Sequence, residues 1–293
     1  TSTDDFLDGV SYLLDLELWD LGRRELRVRK LDQLETYIVA REGEVLDSYV
    51  GPSITMLRAR CLGELVRTLL TIEDIQVIDH PPEPDVTTGE ALQLTLDALP
   101  TPSLVDENAP VIGVIDSGIN AHPLLEDVLV GAIGVPETLG SADGWGHGTR
   151  VAGVALFGDL RSQLTAGVLP RHARIASAKV VNDAGCFDDR RLVPAQMREA
   201  ITKLAEEFGC RIFVISLGDA KRTYDGGKVG PWAATLDELA RELNVLIVVS
   251  AGNRPPRGGN RIEQAVTEYP AYLLEPANRF CEPAGAMNVV TVG

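Results

Sequence analysis

The 293-residue sequence has no uninterrupted apolar run near twenty residues, although 45% of it is hydrophobic. A membrane-spanning helix needs about that length, so none is expected. Basic charge is also scarce: 27 Lys and Arg face 43 Asp and Glu, for a formal net charge of −16. No basic helix or basic–aromatic stripe offsets that balance, which argues against nucleic acid as a partner, because phosphate binding rests on clustered Lys and Arg. The four cysteines, Cys61, Cys186, Cys210 and Cys281, show no C-x-x-C spacing, so neither a zinc cluster nor a disulfide framework is expected. Lone thiols and the lack of a visible secretory signal fit a reducing, cytoplasmic compartment. Calcium-loop spacing is missing too, and neither G-x-G-x-x-G nor G-x-x-x-x-G-K-[ST] follows a strand, which sets aside a nucleotide-binding protein.

What is present centres on Gly144-Trp145-Gly146-His147-Gly148-Thr149-Arg150-Val151-Ala152. Glycines at 146 and 148 allow close backbone approach to a ligand, and the small residues that follow start a helix thin enough to lie in a core. His147 then projects from that helix into a cleft. Thirty-one residues earlier the apolar strand Val111–Ile115 ends in Asp116-Ser117-Gly118. Ligands of open α/β sheets lie beyond the carboxyl ends of parallel strands, so Asp116 is placed to touch His147. A third strand, Val245–Val249, runs into Ser250-Ala251-Gly252-Asn253, whose side-chain amide can hold a developing oxyanion.

Together these pieces resemble the subtilisin-like serine proteases, the subtilase family. Asp116 matches the Asp of the family's D-[ST]-G block, His147 the His of its H-G-T-x-V-A-G block, and Asn253 its oxyanion-hole Asn; the order Asp, His, Ser is also the family's. Ser216-Leu217-Gly218 matches the segment that pairs with the substrate backbone, and the resemblance implies that Ser250, Ala251 and Gly252 bind substrate with it. Tyr269-Pro270-Ala271 and Asn288–Gly293 match later scaffold segments. The resemblance covers about 111–293. It implies peptide-bond hydrolysis by a serine endopeptidase, with a peptide or protein substrate and no cofactor; calcium enters only as a habit of the family. The family's G-T-S-x-A-x-P block is not among these residues, and Ser53 in Gly51-Pro52-Ser53 lacks its pattern. The nucleophile is therefore expected from outside this stretch, from a C-terminal continuation or a partner chain, and the stretch alone is expected to hydrolyse no peptide. The alternative is a non-catalytic regulatory or peptide-binding protein on the subtilase fold; retention of Asp116, His147 and Asn253 together argues against it.

Periodicity divides the rest. Residues 1–82 read as strand, helix, a strand region at 44–61, a helix at 62–75 and a last strand at 76–79, a small α/β layer of split βαβ type. Its place before a subtilase-like domain resembles a propeptide, with a recruiting or docking role as the alternative. His80-Pro81-Pro82-Glu83-Pro84 ends that unit, since three prolines in four positions continue neither helix nor ladder. Residues 83–109 read as a linker with a short helix at 89–98. From 110 to 293 strands alternate with crossover helices, including one with Val193, Met197, Ile201, Leu204 and Phe208 on its buried face, which predicts a three-layer α/β/α domain around a mainly parallel sheet. Met287–Gly293 reads as a core strand. His122, in an H-P-x-L turn, reads as structural.

Overall fold

A computed structural model describes residues 6–84, 99–252 and 261–293. Two compact units emerge. One holds the residues up to Pro82 together with Asp188–Gln196, and the other holds the remainder from Glu83 on. The helix expected at 89–98 lies outside the described residues. No described helix is long and apolar enough to cross a membrane.

In the first unit the order is β1 (Ser11–Leu18), α1 (Arg24–Val39), β2 (Glu44–Val50), β3 (Thr55–Leu62), α2 (Gly63–Leu69) and β4 (Ile75–Asp79). The strands form an antiparallel sheet in the order β2-β3-β1-β4, the split βαβ arrangement. Alternation along β1 puts Leu14, Leu16 and Leu18 on the face that meets Leu31, Leu34 and Ile38 of α1 and Leu65, Val66 and Leu69 of α2. Helix α2 stops six residues before the expected end. Thr71 Oγ1 and the backbone N–H of Thr71 turn back onto the Thr68 carbonyl there, closing the helix and returning Ile72 and Ile75 to the core. The opposite sheet face buries an ion pair: Asp15 stands directly across from Arg58, whose guanidinium grips both carboxylate oxygens at 2.6 and 2.8 Å. Arg58 also donates to the backbone carbonyls of Asp188, Asp189 and Arg191. Ser53 lies in the turn between β2 and β3.

The second unit is built on β5 (Val111–Asp116), β6 (Leu129–Gly134), α3 (His147–Phe157), α4 (Leu160–Ala166), β7 (Arg174–Lys179), α5 (Val193–Phe208), β8 (Ile212–Ile215), β9 (Asp219–Thr223), α6 (Pro231–Glu242), β10 (Leu246–Ser250), α7 (Arg261–Glu268), β11 (Cys281–Glu282) and β12 (Val290–Val292). Six strands form an all-parallel sheet, β12-β10-β8-β5-β7-β6. The order reverses at β5: the chain leaves it for β6 and β7 on one side, then crosses to β8, β10 and β12 on the other. Asp116 thus ends the strand at the topological switch point, where such sheets form a crevice. Strand β5 is a continuous apolar run because both of its faces are covered. Val114 packs with Ala152 and Leu156 of α3, while a Cβ at Gly113 would meet Phe213 of β8 and Leu204 of α5. Helices therefore flank the sheet on both faces, giving the three-layer architecture. A short antiparallel pair, β9 with β11, follows Ser216–Gly218.

The terminal strand is shorter than expected. Of Met287–Gly293, only Val290–Val292 is extended. Among the described residues strand β12 pairs in parallel with β10.

Candidate active site

The site grows from the junction of β5 and α3. An α-helix leaves its first N–H groups without intrahelical partners, and α3 begins at Gly146 in a left-handed conformation (φ 84°) with no side-chain cap of its own. Two side chains from elsewhere satisfy that first turn. Ser117 Oγ accepts from Gly148 N at 2.9 Å, and Asp143 Oδ2 accepts from Thr149 N at 2.9 Å and Thr149 Oγ1 at 2.7 Å. Asp143 Oδ1 also accepts from Gly146 N at 2.6 Å, Trp145 N at 3.1 Å and Ser117 Oγ at 2.8 Å. Burial pushes the Asp143 carboxyl up, but the hydrogen bonds from Thr149, Ser117 and Gly146 outweigh it and hold the group below the ordinary carboxylate value. Asn120 clasps the same residue by its backbone, accepting from Asp143 N at 3.0 Å and donating to Asp143 O at 2.6 Å.

This scaffold presents His147 to Asp116. The imidazole Nδ1 lies 2.7 Å from Asp116 Oδ1, which also accepts from Ser117 N at 2.7 Å. Asp116 is fully buried, and its Oδ2 has no hydrogen-bond partner among the described residues. A carboxylate facing Nδ1 selects the tautomer with the proton on that nitrogen and leaves Nε2 as the basic atom. Gly148 is required for an internal reason. A Cβ there would collide with the Gly118 carbonyl and press on Asp116 Cβ at 3.2 Å, so the glycine lets α3 close onto β5, whereas the sequence reading had it facing a ligand. Lys179, at the end of β7, holds the loop from outside with Nζ 2.6 Å from Ala142 O and 2.5 Å from Asp183 Oδ1. Trp145 stacks on the His147 ring, with centroids 5.3 Å apart and planes at 26°.

A cleft of about 480 Å³ opens beside this pair, walled by His147, Val151, Val154, Val214, Ser216 and Ser250. The structure thus brings Asp116, His147, Ser216 and Ser250 to one place. The hydroxyl of Ser250 has no partner among the described residues. Leu217 is fully buried, and Gly218 lies where a Cβ would stand 3.3 Å from Glu282 O. Ala251 spends its backbone inside the protein, donating to Val292 O and accepting from Cys281 N. Gly252 has φ 129°, and Asn253 lies outside the described residues. His122 caps its own turn, accepting from Leu124 N at 3.2 Å. The roles of Asp143 and Ser117 were not read from the sequence, because neither stands at the N-cap position of α3, which Gly146 occupies.

A model of the Y4kK central domain matches residues 2–80. Over 101 residues, 34% of its length, the chain is 78% identical to uncharacterized protein y4bN of Sinorhizobium fredii (strain NBRC 101917 / NGR234). Over 127 residues, 43% of its length, it is 58% identical to uncharacterized protein y4kK of the same organism. These matches span 23% and 41% of the two relatives' own lengths. The psychrophilic subtilisin-like protease Apa1 from the Antarctic psychrotroph Pseudoalteromonas sp. AS-11 aligns over 62% of this chain and 35% of its own, at 22% identity and a TM-score of 0.38. A model described as the subtilase family matches residues 107–293, more than half of the sequence and the whole of the parallel sheet with its Asp116–His147 pair, and the chain belongs to that family.

Proposed function

We propose that the protein is a serine endopeptidase in which His147 is the general base and Asp116 its orienting carboxylate. The carrying observation is the 2.7 Å contact between His147 Nδ1 and Asp116 Oδ1 at the mouth of an open cleft. A serine supplied from outside these 293 residues attacks the peptide carbonyl. His147 Nε2 takes its proton and later returns it to the leaving amine, while Asp116 stabilises the imidazolium. Asn253 donates to the tetrahedral oxyanion. The backbone of Ser216–Gly218 binds the substrate as an added strand, and the step uses no cofactor.

The test uses the full-length protein with a fluorophosphonate probe and a broad peptide library. Labelling and turnover are expected. Turnover should fall by about 10⁶ in His147→Ala and by about 10⁴ in Asp116→Asn, as in the handful of triads dissected this way. Peptide binding without labelling or turnover would instead identify a non-catalytic member of the family.

A further inference from the structure

We propose that Trp145 is a positioning residue for His147: its indole face fixes the plane of the imidazole so that Nε2 keeps one direction into the cleft. The inference rests on the reading of His147 as the base, and it adds to that reading a residue no triad contains.

The need arises from the Asp116 contact itself. A ring held at Nδ1 alone can still rock about that hydrogen bond, and each such motion swings Nε2 away from a nucleophile. A second contact, made to the face of the ring, removes this freedom. Trp145 supplies it through the stacked geometry of 5.3 Å and 26°.

The indole is in turn held from both ends. Its backbone N–H is tied to Asp143 Oδ1 at 3.1 Å. Its six-membered ring lies on Gly185, where a Cβ would fall 2.8–2.9 Å from three ring atoms. Gly185 has φ 73° and belongs to a closed turn. In that turn Gly185 N donates to Asn182 O at 2.9 Å, Asn182 N to Cys186 O at 2.8 Å, and Ala184 N and Cys186 N both to Asn182 Oδ1 at 3.0 Å. A rigid turn therefore seats the indole, and the indole seats the imidazole.

A flat aromatic face and mere apolar bulk predict different variants. Trp145→Phe keeps a face, Trp145→Leu fills space without one, and Trp145→Ala does neither. In the full-length protein the hydrogen-bonded Nδ1 proton of His147 is read by NMR and assigned by its disappearance in Asp116→Asn. It is expected to persist in the wild type and in Trp145→Phe, and to be lost to solvent exchange in Trp145→Leu. In hydrolysis, Trp145→Leu should lose about 10- to 100-fold in kcat with KM nearly unchanged, and Trp145→Phe should recover most of it. Retention of the proton signal and of kcat in a folded Trp145→Leu protein would overturn the proposal. If the wild type hydrolyses nothing, the reading of His147 as base fails, while the NMR comparison still decides whether Trp145 holds the ring. Should Trp145→Ala alone unfold, the Phe and Leu pair still decides.

Discussion

Asp143→Asn is an isosteric change whose cost follows from the hydrogen-bond count. The carboxylate accepts five hydrogen bonds, three of them at Oδ1 (Ser117 Oγ, Trp145 N, Gly146 N) and two at Oδ2 (Thr149 N, Thr149 Oγ1). An amide nitrogen at the Oδ2 position would face Thr149 N, donor against donor; at the Oδ1 position it would face two backbone N–H groups. The hydroxyls can rotate to accept and the backbone cannot, so the better placement orphans one N–H in the first turn of α3. A buried unsatisfied donor costs about 1–3 kcal/mol, and bonds to a charged acceptor exceed neutral ones by about 1 kcal/mol, so a loss of about 2–4 kcal/mol is expected. Urea unfolding followed by circular dichroism measures it on the transition of the larger unit. The pH dependence has a definite sign. A carboxyl held below its ordinary 3.8 stabilises the fold above that pH and loses the contribution as pH falls through the lower folded value. The gap between wild type and variant should therefore narrow only in strong acid. A difference under about 0.5 kcal/mol at neutral pH would put Asp143 among ordinary surface groups and refute its role as the cap of α3.

Other perturbations probe separate parts of the structure. Burial pushes the Glu282 carboxyl up to about 7, against Arg222 and the N–H groups of Ala233 and Trp232, so stability should fall as pH rises from 4.5 to about 7 and then level off. At about 1.4 kcal/mol per pH unit the loss is about 3 kcal/mol, and Glu282→Gln should flatten the slope in urea melts across that window; an unchanged slope would assign it to another group. Arg58→Ala leaves Asp15, whose carboxyl burial already pushes up, without its partner and should cost about 3–5 kcal/mol, with Asp15→Leu added to Arg58→Met recovering most of it in thermal melts. Gly148→Ala drives a methyl into the Gly118 carbonyl and should cost about 1–3 kcal/mol and abolish the His147 Nδ1 proton signal; a neutral result would show that α3 does not close on β5 as described.

Much of the second unit was legible because its strands are apolar runs and its helices carry period-3.6 faces. The run Val111–Ile115 states that β5 is covered on both sides, and Val193, Met197, Ile201 and Leu204 state which side of α5 is inside. The facing of Asp116 and His147 was legible because each ends or begins an element at the same rim. Contacts set by tertiary closure were not. Ser117 and Asp143 look like ordinary loop polar residues until α3 docks. Trp145 stood in the organising stretch from the start, but a stack on His147 needs the Asn182–Cys186 turn beneath it, more than thirty residues away along the chain.

The place of β5 in the sheet also sets an order of events in folding. Its partners are distant: Ile115 pairs with Ala178 on one side and with Ile215 on the other, 63 and 100 residues along the chain (178 − 115 and 215 − 115). Both loops must close before β5 has both of its strand neighbours, which makes this a slow, high-contact-order nucleus. At ribosomal rates of about 5–20 residues per second, Val111–Ile115 waits roughly 5–20 s after synthesis for its second neighbour. During that interval the apolar segment that ends in Asp116 keeps an unpaired edge that can stick to other chains.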